Sequence, residues 1–397
     1  MVAVGGAYPA AMRLVHLAGY TPPQVGSFIP FLKSVLVEAR GRGWEVEAVF
    51  PDQARERPWV GDLREAQIPV SFAFGSRGDL TSWLREHLGE GDEPTILHTH
   101  FTLYDVAAAL IGRGRPSVSV YWHVHTVLSA SPRNALANTV KFSLFGRYVD
   151  RILAPSVDLA TGIRRRLGPR SKIEVFPSPI DPNAFPLISP EQRAVFREQL
   201  EVPEGTRALL HFGRAWELKG GDVLLDALAL LAGEGRLLIA LINQGGDQAR
   251  GAAALRGLEA QVKIVEMLPE PQQLYGAADV LVAPSRGEGM PFTVVEALCS
   301  GTPVVASDLS GHRFFGDHLE ACTIVPQSDS AQIAAAVGSY LDLAPEETER
   351  QAGAAHEWIV DRLDLRRAAT RLVDEYEQTI DSGPARTIGQ FSGIRDS

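Results

Sequence analysis

Short apolar runs alternate along most of the chain with amphipathic stretches of helical period, the pattern of βα units and parallel sheets. The first run, 12–18, leads through a Gly/Pro-containing loop at Gly26-Ser27 into a helical segment ending by Gly43, then into a run at 46–50. Further runs at 95–98, 117–122, 151–154 and 172–176 complete one α/β series. At Pro177-Ser178-Pro179-Ile180-Asp181-Pro182 the chain turns Pro-rich, then polar up to Pro203-Glu204-Gly205, which marks an interlobe linker. A second series follows at 208–212, 237–242, 263–266, 280–283 and 303–306, and beyond Pro345 the pattern is purely helical to Ile380. The expected division is an N-terminal α/β domain over 1–180, a second over 181–365, a terminal helix over 366–380 packing back on the first domain, and a polar tail over 381–397. Residues before Met12 precede the strand pattern and read as a leader with no assigned function.

Composition narrows the classes. With 397 residues, 45% hydrophobic and 22% charged, the chain has apolar side chains for two sizeable cores. A formal charge of −10 argues against a nucleic-acid partner, which would need clustered Lys and Arg. The one short basic run, Arg164-Arg165-Arg166, reads first as a solvated helix face. Two cysteines, Cys299 and Cys322, are too few for a disulfide framework and suit a reducing, cytoplasmic setting. No signal-peptide pattern and no stretch of about 18 apolar residues stands out, so no transmembrane segment is expected.

Two segments carry the chemistry. In the first, 283–298, an apolar strand runs into the loop Ser285-Arg286-Gly287-Glu288-Gly289-Met290 and then a helix starting near Pro291 or Phe292. Free N–H groups at that helix start favour an anion such as a diphosphate, and Glu288 and Glu296 are acceptors suited to sugar and ribose hydroxyls. In the second, Phe212-Gly213-Arg214-Ala215-Trp216-Glu217-Leu218-Lys219-Gly220-Gly221, glycines allow close backbone approach. Arg214 offers a planar fork and Lys219 a point charge for phosphate oxygens. Taken singly, each segment is equally readable as surface charge around a βα turn. His98 and His100 have the same spacing as His123 and His125, but metal binding by either pair would need further ligands that the sequence does not locate.

Together the F-x-G-R…K-G and E-x7-E segments resemble glycosyltransferase family 4, the retaining enzymes of GT-B architecture. The likeness extends through Leu97-His98-Thr99-His100, Trp122-His123-Val124-His125, Ala278-Asp279 and Ser300-Gly301-Thr302-Pro303. It implies two Rossmann-like lobes with a donor cleft between them. It also implies that Arg214 and Lys219 neutralise the donor diphosphate, that Glu288 holds the transferred sugar and Glu296 the ribose, and that Thr293 lies near the phosphates. The backbone around Val265 and Met267 would frame the base, and Gly213, Gly289, Met290, Pro291 and Phe292 would complete the donor site. Gly26 and Ser27 resemble the family's Gly-Gly loop, with serine replacing the second glycine. One of His123 and His125 resembles the family histidine near the reacting sugar, His125 matching better, with His123 and His100 on the acceptor side. The chain departs from the family at Ile242-Asn243-Gln244-Gly245-Gly246, at Ser178-Pro179-Ile180-Asp181 and at Ser310-Gly311-His312-Arg313.

The expected reaction is attack of an acceptor hydroxyl on the anomeric carbon of a UDP- or GDP-sugar, with retention. The partners are then a nucleotide diphosphate sugar and a soluble hydroxyl-bearing acceptor such as a natural product or small glycan. No D-x-D occurs, so no cofactor and no metal are expected. The competing readings are a nucleotide-sugar hydrolase or epimerase and a non-catalytic nucleotide-sugar-binding protein.

Overall fold

Thirteen parallel-paired strands form two separate sheets among the described residues. The computed structural model describes residues 12–382 apart from 24, 74–78, 126–131, 168–172, 267, 269 and 290, with backbone alone at 132–134 and 167. The first sheet contains β1 (Arg13–Ala18), β2 (Glu45–Pro51), β3 (Val70–Ala73), β4 (Thr95–His100), β5 (Val118–His123), β6 (Arg151–Ala154) and β7 (Ile173–Val175). The second contains β8 (Arg207–Phe212), β9 (Leu238–Asn243), β10 (Val262–Val265), β11 (Val280–Ala283), β12 (Val304–Ser307) and β13 (Cys322–Val325).

Strand order is β3-β2-β1-β4-β5-β6-β7 in one sheet and β10-β9-β8-β11-β12-β13 in the other. Each chain of strands runs outward in one direction, then restarts beside its first strand and runs the other way. This doubly wound order opens a crevice at the carboxyl edge where the direction reverses, between β1 and β4 and again between β8 and β11.

Both faces of both sheets are covered, which is why the strands read as unbroken apolar runs. On β1, Leu14 packs with Phe50, Tyr121 and Tyr376 on one face, while Val15 and Leu17 pack with Leu97 and Trp122 on the other. On β8, Leu210 joins Leu241, Tyr275 and Val295, while Leu209 joins Trp216, Leu224 and Val282.

The chain divides into two compact units, 1–177 with 365–397, and 178–364. The helix Leu365–Asp381 packs with the helix Phe28–Gly41 of the first unit, burying Leu372, Val373 and Tyr376. Arg42 ties that contact with ion pairs to Asp374 and Glu377 at 2.6 and 3.0 Å.

Two features differ from the pattern-based expectation. The stretch read as a linker carries the helix Pro190–Gln199, whose start is fixed by a reciprocal capping box between Ser189 and Gln192. The edge strands β3 and β13 were not expected. The C-terminal helices Pro345–Leu363 and Leu365–Asp381 are separated at Asp364, where the backbone turns extended. No helix among the described residues is long and apolar enough to cross a membrane.

Candidate functional site

In the second unit, the loops leaving β8 and β11 lie on either side of the point where strand order reverses. They are fastened together in three ways. Gly220 sits at φ +72°, and a Cβ there would lie 2.1 Å from the Pro284 carbonyl oxygen. The Arg286 N–H donates to the Leu218 carbonyl at 2.8 Å. The Arg286 guanidinium grips both Asp222 carboxylate oxygens at 2.9 and 2.7 Å. The glycines thus serve a close approach between loops more directly than one to a ligand. Gly213 would meet the Gln244 carbonyl at 2.7 Å and Gly221 the Trp216 ring at 2.4 Å.

Lys219 and Glu288 meet on this frame. The Lys219 ammonium donates to Glu288 Oε1, and the buried Ser285 hydroxyl donates to the same oxygen at 2.9 Å. Oε2 of Glu288 accepts no hydrogen bond among the described residues. Ser285 is fixed in turn by Ser307, whose hydroxyl donates to the Ser285 carbonyl. Arg214 is exposed, and no ion pair engages it among the described residues. The next residue, Ala215, holds a left-handed φ of +59°. Such strain costs a non-glycine residue of order 1–3 kcal/mol and concentrates at functional sites.

The helix after β11 is Phe292–Cys299, entered through Pro291 with no side-chain cap. Its first amides therefore retain donor capacity, and the helix dipole favours negative charge there. Val294, Val295, Ala297 and Leu298 are buried, while Thr293 and Glu296 share the more open face one turn apart. Tyr275, which the sequence did not single out, donates its hydroxyl to Glu296 Oε2 at 2.5 Å. Burial, and then the neighbouring Glu296 charge, raise the tyrosine well above its usual range, so it remains a donor. Gly289 lies in the same loop; Met290 and Met267 fall outside the described residues.

Asn243 accounts for one departure from the family pattern. It is wholly buried at the end of β9, and its amide nitrogen donates to the Val265 and Glu266 carbonyls at 3.2 and 3.1 Å. Val265 is thereby held at the exit of β10 by a buried side chain. A second departure places His312, fully buried, within reach of the Glu288 and Lys219 charges. Its Nδ1 faces the Ser307 carbonyl at 2.7 Å and its Nε2 has no partner among the described residues. Burial lowers its pKa, so it is neutral near pH 7. Nothing in the sequence distinguished it from an ordinary core histidine.

In the first unit, the reversal point gathers histidines. Parallel register sets His16 of β1 beside His98 of β4, and His100 beside His123 of β5. His16 Nδ1 lies 2.9 Å from His100 Nε2, and His100 Nδ1 lies 2.9 Å from His125 Nε2. His98 Nδ1 hydrogen-bonds the Tyr376 hydroxyl. Burial lowers all five imidazoles, His16 and His125 to about 3. His125 is boxed by Phe101, stacked at 4.4 Å, and by the edge of Phe28 at 5.4 Å. Phe101 and Thr102 both hold left-handed φ, +60° and +63°. Gly26, at φ +55°, and Ser27 precede the helix Phe28–Gly41; Gly26 is exposed and Ser27 half-buried.

Two family descriptions match the chain: "Glycosyltransferase Family 4" over residues 32–184 and "Glycosyl transferases group 1" over residues 206–342. A D-inositol 3-phosphate glycosyltransferase of Xylanimonas cellulosilytica is 30% identical over 419 residues, covering 95% of this chain and 98% of that protein. The enzyme of the same name from Thermobispora bispora is 29% identical, over 58% of this chain and little more than half, 56%, of its own length. Among solved structures, Anabaena HepE in complex with UDP superposes with a TM-score of 0.77 at 21% identity, over 92% of this chain and 100% of that one. WaaG, involved in lipopolysaccharide biosynthesis, superposes with a TM-score of 0.67 at 16% identity, over 92% and 99% of the two chains. Both are likenesses of fold.

Proposed function

The chain belongs to the family 4, group 1 glycosyltransferases, and we propose that it moves a sugar, with retention, from a nucleotide diphosphate donor to an acceptor hydroxyl. The observation that carries this is the meeting of Lys219, Glu288 and Ser285 on two interlocked loops beside the uncapped helix start at Pro291.

Departure of a diphosphate builds negative charge, and each tenfold in rate requires about 1.4 kcal/mol of transition-state stabilisation. In this reading Lys219 and the first amides of Phe292–Cys299, fixed in place before the donor arrives, receive that charge together with the exposed Arg214. Thr293, Gly213, Gly289 and Pro291 line the phosphate region. Glu288 keeps Oε2 for a hydroxyl of the transferred sugar. Glu296, oriented by Tyr275, takes the ribose, and the Val265 backbone, held by Asn243, frames the base. Gly26 and Ser27 belong to the phosphate-side loop of the first unit, and His125 bonds the reacting sugar, with His123 and His100 behind it.

UDP is the favoured nucleotide, because Anabaena HepE was solved with it. A small polyol or sugar is the favoured acceptor, since the relatives carry the name of an inositol phosphate enzyme. No residue is assigned to a metal in this transfer, so turnover should persist after chelation.

The test is a thermal-shift panel of nucleotides and then nucleotide sugars, followed by product analysis with polyol and sugar acceptors. Stabilisation by a nucleoside diphosphate and an acceptor-dependent glycoside are expected. Indifference to every nucleotide, or free sugar as the sole product, overturns the reading.

A further inference from the structure

The histidines at the carboxyl edge of the first sheet are arranged for more than one hydrogen bond. Each of β4 and β5 contributes a His-x-His pair, His98 with His100 and His123 with His125, and alternate residues of a strand point to one face. Parallel register then sets the pairs side by side, with ring centroids of His100 and His123 5.3 Å apart and those of His123 and His125 4.3 Å apart. The ligand atoms of His100, His123 and His125 all lie within 4.8 Å of one another.

We propose that His100, His123 and His125 form a binding site for one divalent transition-metal ion of the zinc class. Imidazole nitrogens suit such ions, and two of them on a tetrahedral zinc stand about 3.3 Å apart. The 2.9 Å between His100 Nδ1 and His125 Nε2 and the 4.8 Å limit of the trio bracket that spacing. The third donor is waiting. His123 Nδ1 is buried with no hydrogen-bond partner among the described residues, an unusual state for a buried polar atom. Buried imidazoles stay neutral, which is the form that binds metal.

The neighbouring residues complete the assignment. With His100 bound through Nδ1, its Nε2–H donates to His16 Nδ1 at 2.9 Å, the outer hydrogen bond that orients a metal-bound histidine. Loading then requires that His125 carry its proton on Nδ1 instead of Nε2, a tautomer change without net charge. His16, His98 and His100 form a second trio, but His16 and His98 lie mid-strand at 0% exposure. His125 lies beyond the end of β5 and is half-buried, so its trio is the less enclosed of the two. Resting on the function proposed above, a bound ion also takes His125 away from the sugar. The loaded form is inhibited, and chelation releases it.

The experiment strips the full chain with a chelator and titrates Zn²⁺ or Co²⁺ against a chromophoric competitor. One ion per chain is expected, with four-coordinate cobalt absorption and a raised melting temperature. His125→Asn, half-buried and so the variant best placed to fold, should lower affinity about tenfold or more, and His123→Ala likewise. His318→Ala, on the exposed surface of the other unit, should leave it unchanged. No bound ion, a six-coordinate cobalt spectrum, unchanged affinity in a folded His125→Asn variant, or loss only with His16→Ala overturns the site. If zinc binds through His125 while turnover is unaffected, the inhibitory consequence falls. Since binding is read without turnover, failure of this site and failure of the proposed transfer reaction are told apart.

Discussion

Mild acidification should destabilise the N-terminal unit well before the usual acid range. Five of its histidines, His16, His98, His100, His123 and His125, have pKa values pushed down by burial, two of them to about 3. In the unfolded chain each returns to about 6.5. Below that pH the unfolded state binds more protons, so the stability present above pH 6.5 is lost as pH falls. Between pH 7 and 5.5 the loss is on the order of 1 kcal/mol per imidazole, several kcal/mol for the group. Glu375 acts the other way. Burial and then Glu174 raise it to about 7, so the folded state takes up a proton in this window and regains on the order of 1 kcal/mol. A net loss of several kcal/mol is large against the ~5–15 kcal/mol of a typical domain. In the C-terminal unit His211, lowered to about 4, and His312 act in the same direction but are fewer. Urea unfolding at both pH values reads this through tryptophan fluorescence, with Trp44, Trp59 and Trp122 buried in the first unit and Trp216 in the second. A change in the first transition below about 1 kcal/mol, or an equal change in both, would refute the reasoning.

Three further outcomes follow from the second unit. Lys219→Ala should lower kcat/KM about 10²–10³-fold in initial-rate assays, the loss typical of removing one preorganised donor. Tyr275→Phe removes a hydrogen bond to the Glu296 carboxylate, worth about 1.5 kcal/mol. Nucleotide affinity by calorimetry should therefore fall roughly tenfold. Gly220→Ala forces a Cβ against the Pro284 carbonyl at a left-handed φ and should cost about 3 kcal/mol in denaturant unfolding, with the β8 and β11 loops sprung apart.

The strands that sit centrally in each sheet were legible because both faces are buried. Arg151–Ala154 and Val280–Ala283 stand where the pattern put them, and β4 and β5 were found short of their final histidines. Those ends were lost because a buried histidine at a strand terminus reads as polar. Val70–Ala73 and Cys322–Val325 escaped for another reason. Each is a four-residue edge strand with small or polar residues, too brief for a period to show. Doubly wound topology brings the loops after β8 and β11 together, but the Lys219–Glu288 ion pair itself was not among the expectations. Tyr275, Asn243 and His312 were not legible, because what matters in each is the one partner it faces, and that is a property of three-dimensional approach.

The chain leaves the first unit after Pro177 and re-enters it at Leu365, and at this crossing Ile180 pairs with Asp364 and donates its N–H to the Leu363 carbonyl at 2.8 Å. The intervening stretch is therefore one uninterrupted piece with its ends clasped together, the arrangement of a cassette spliced into a host sequence. Such a piece lends itself to excision or circular permutation, whereas its host needs only a short peptide graft from 177 to 365 if that graft can span the gap.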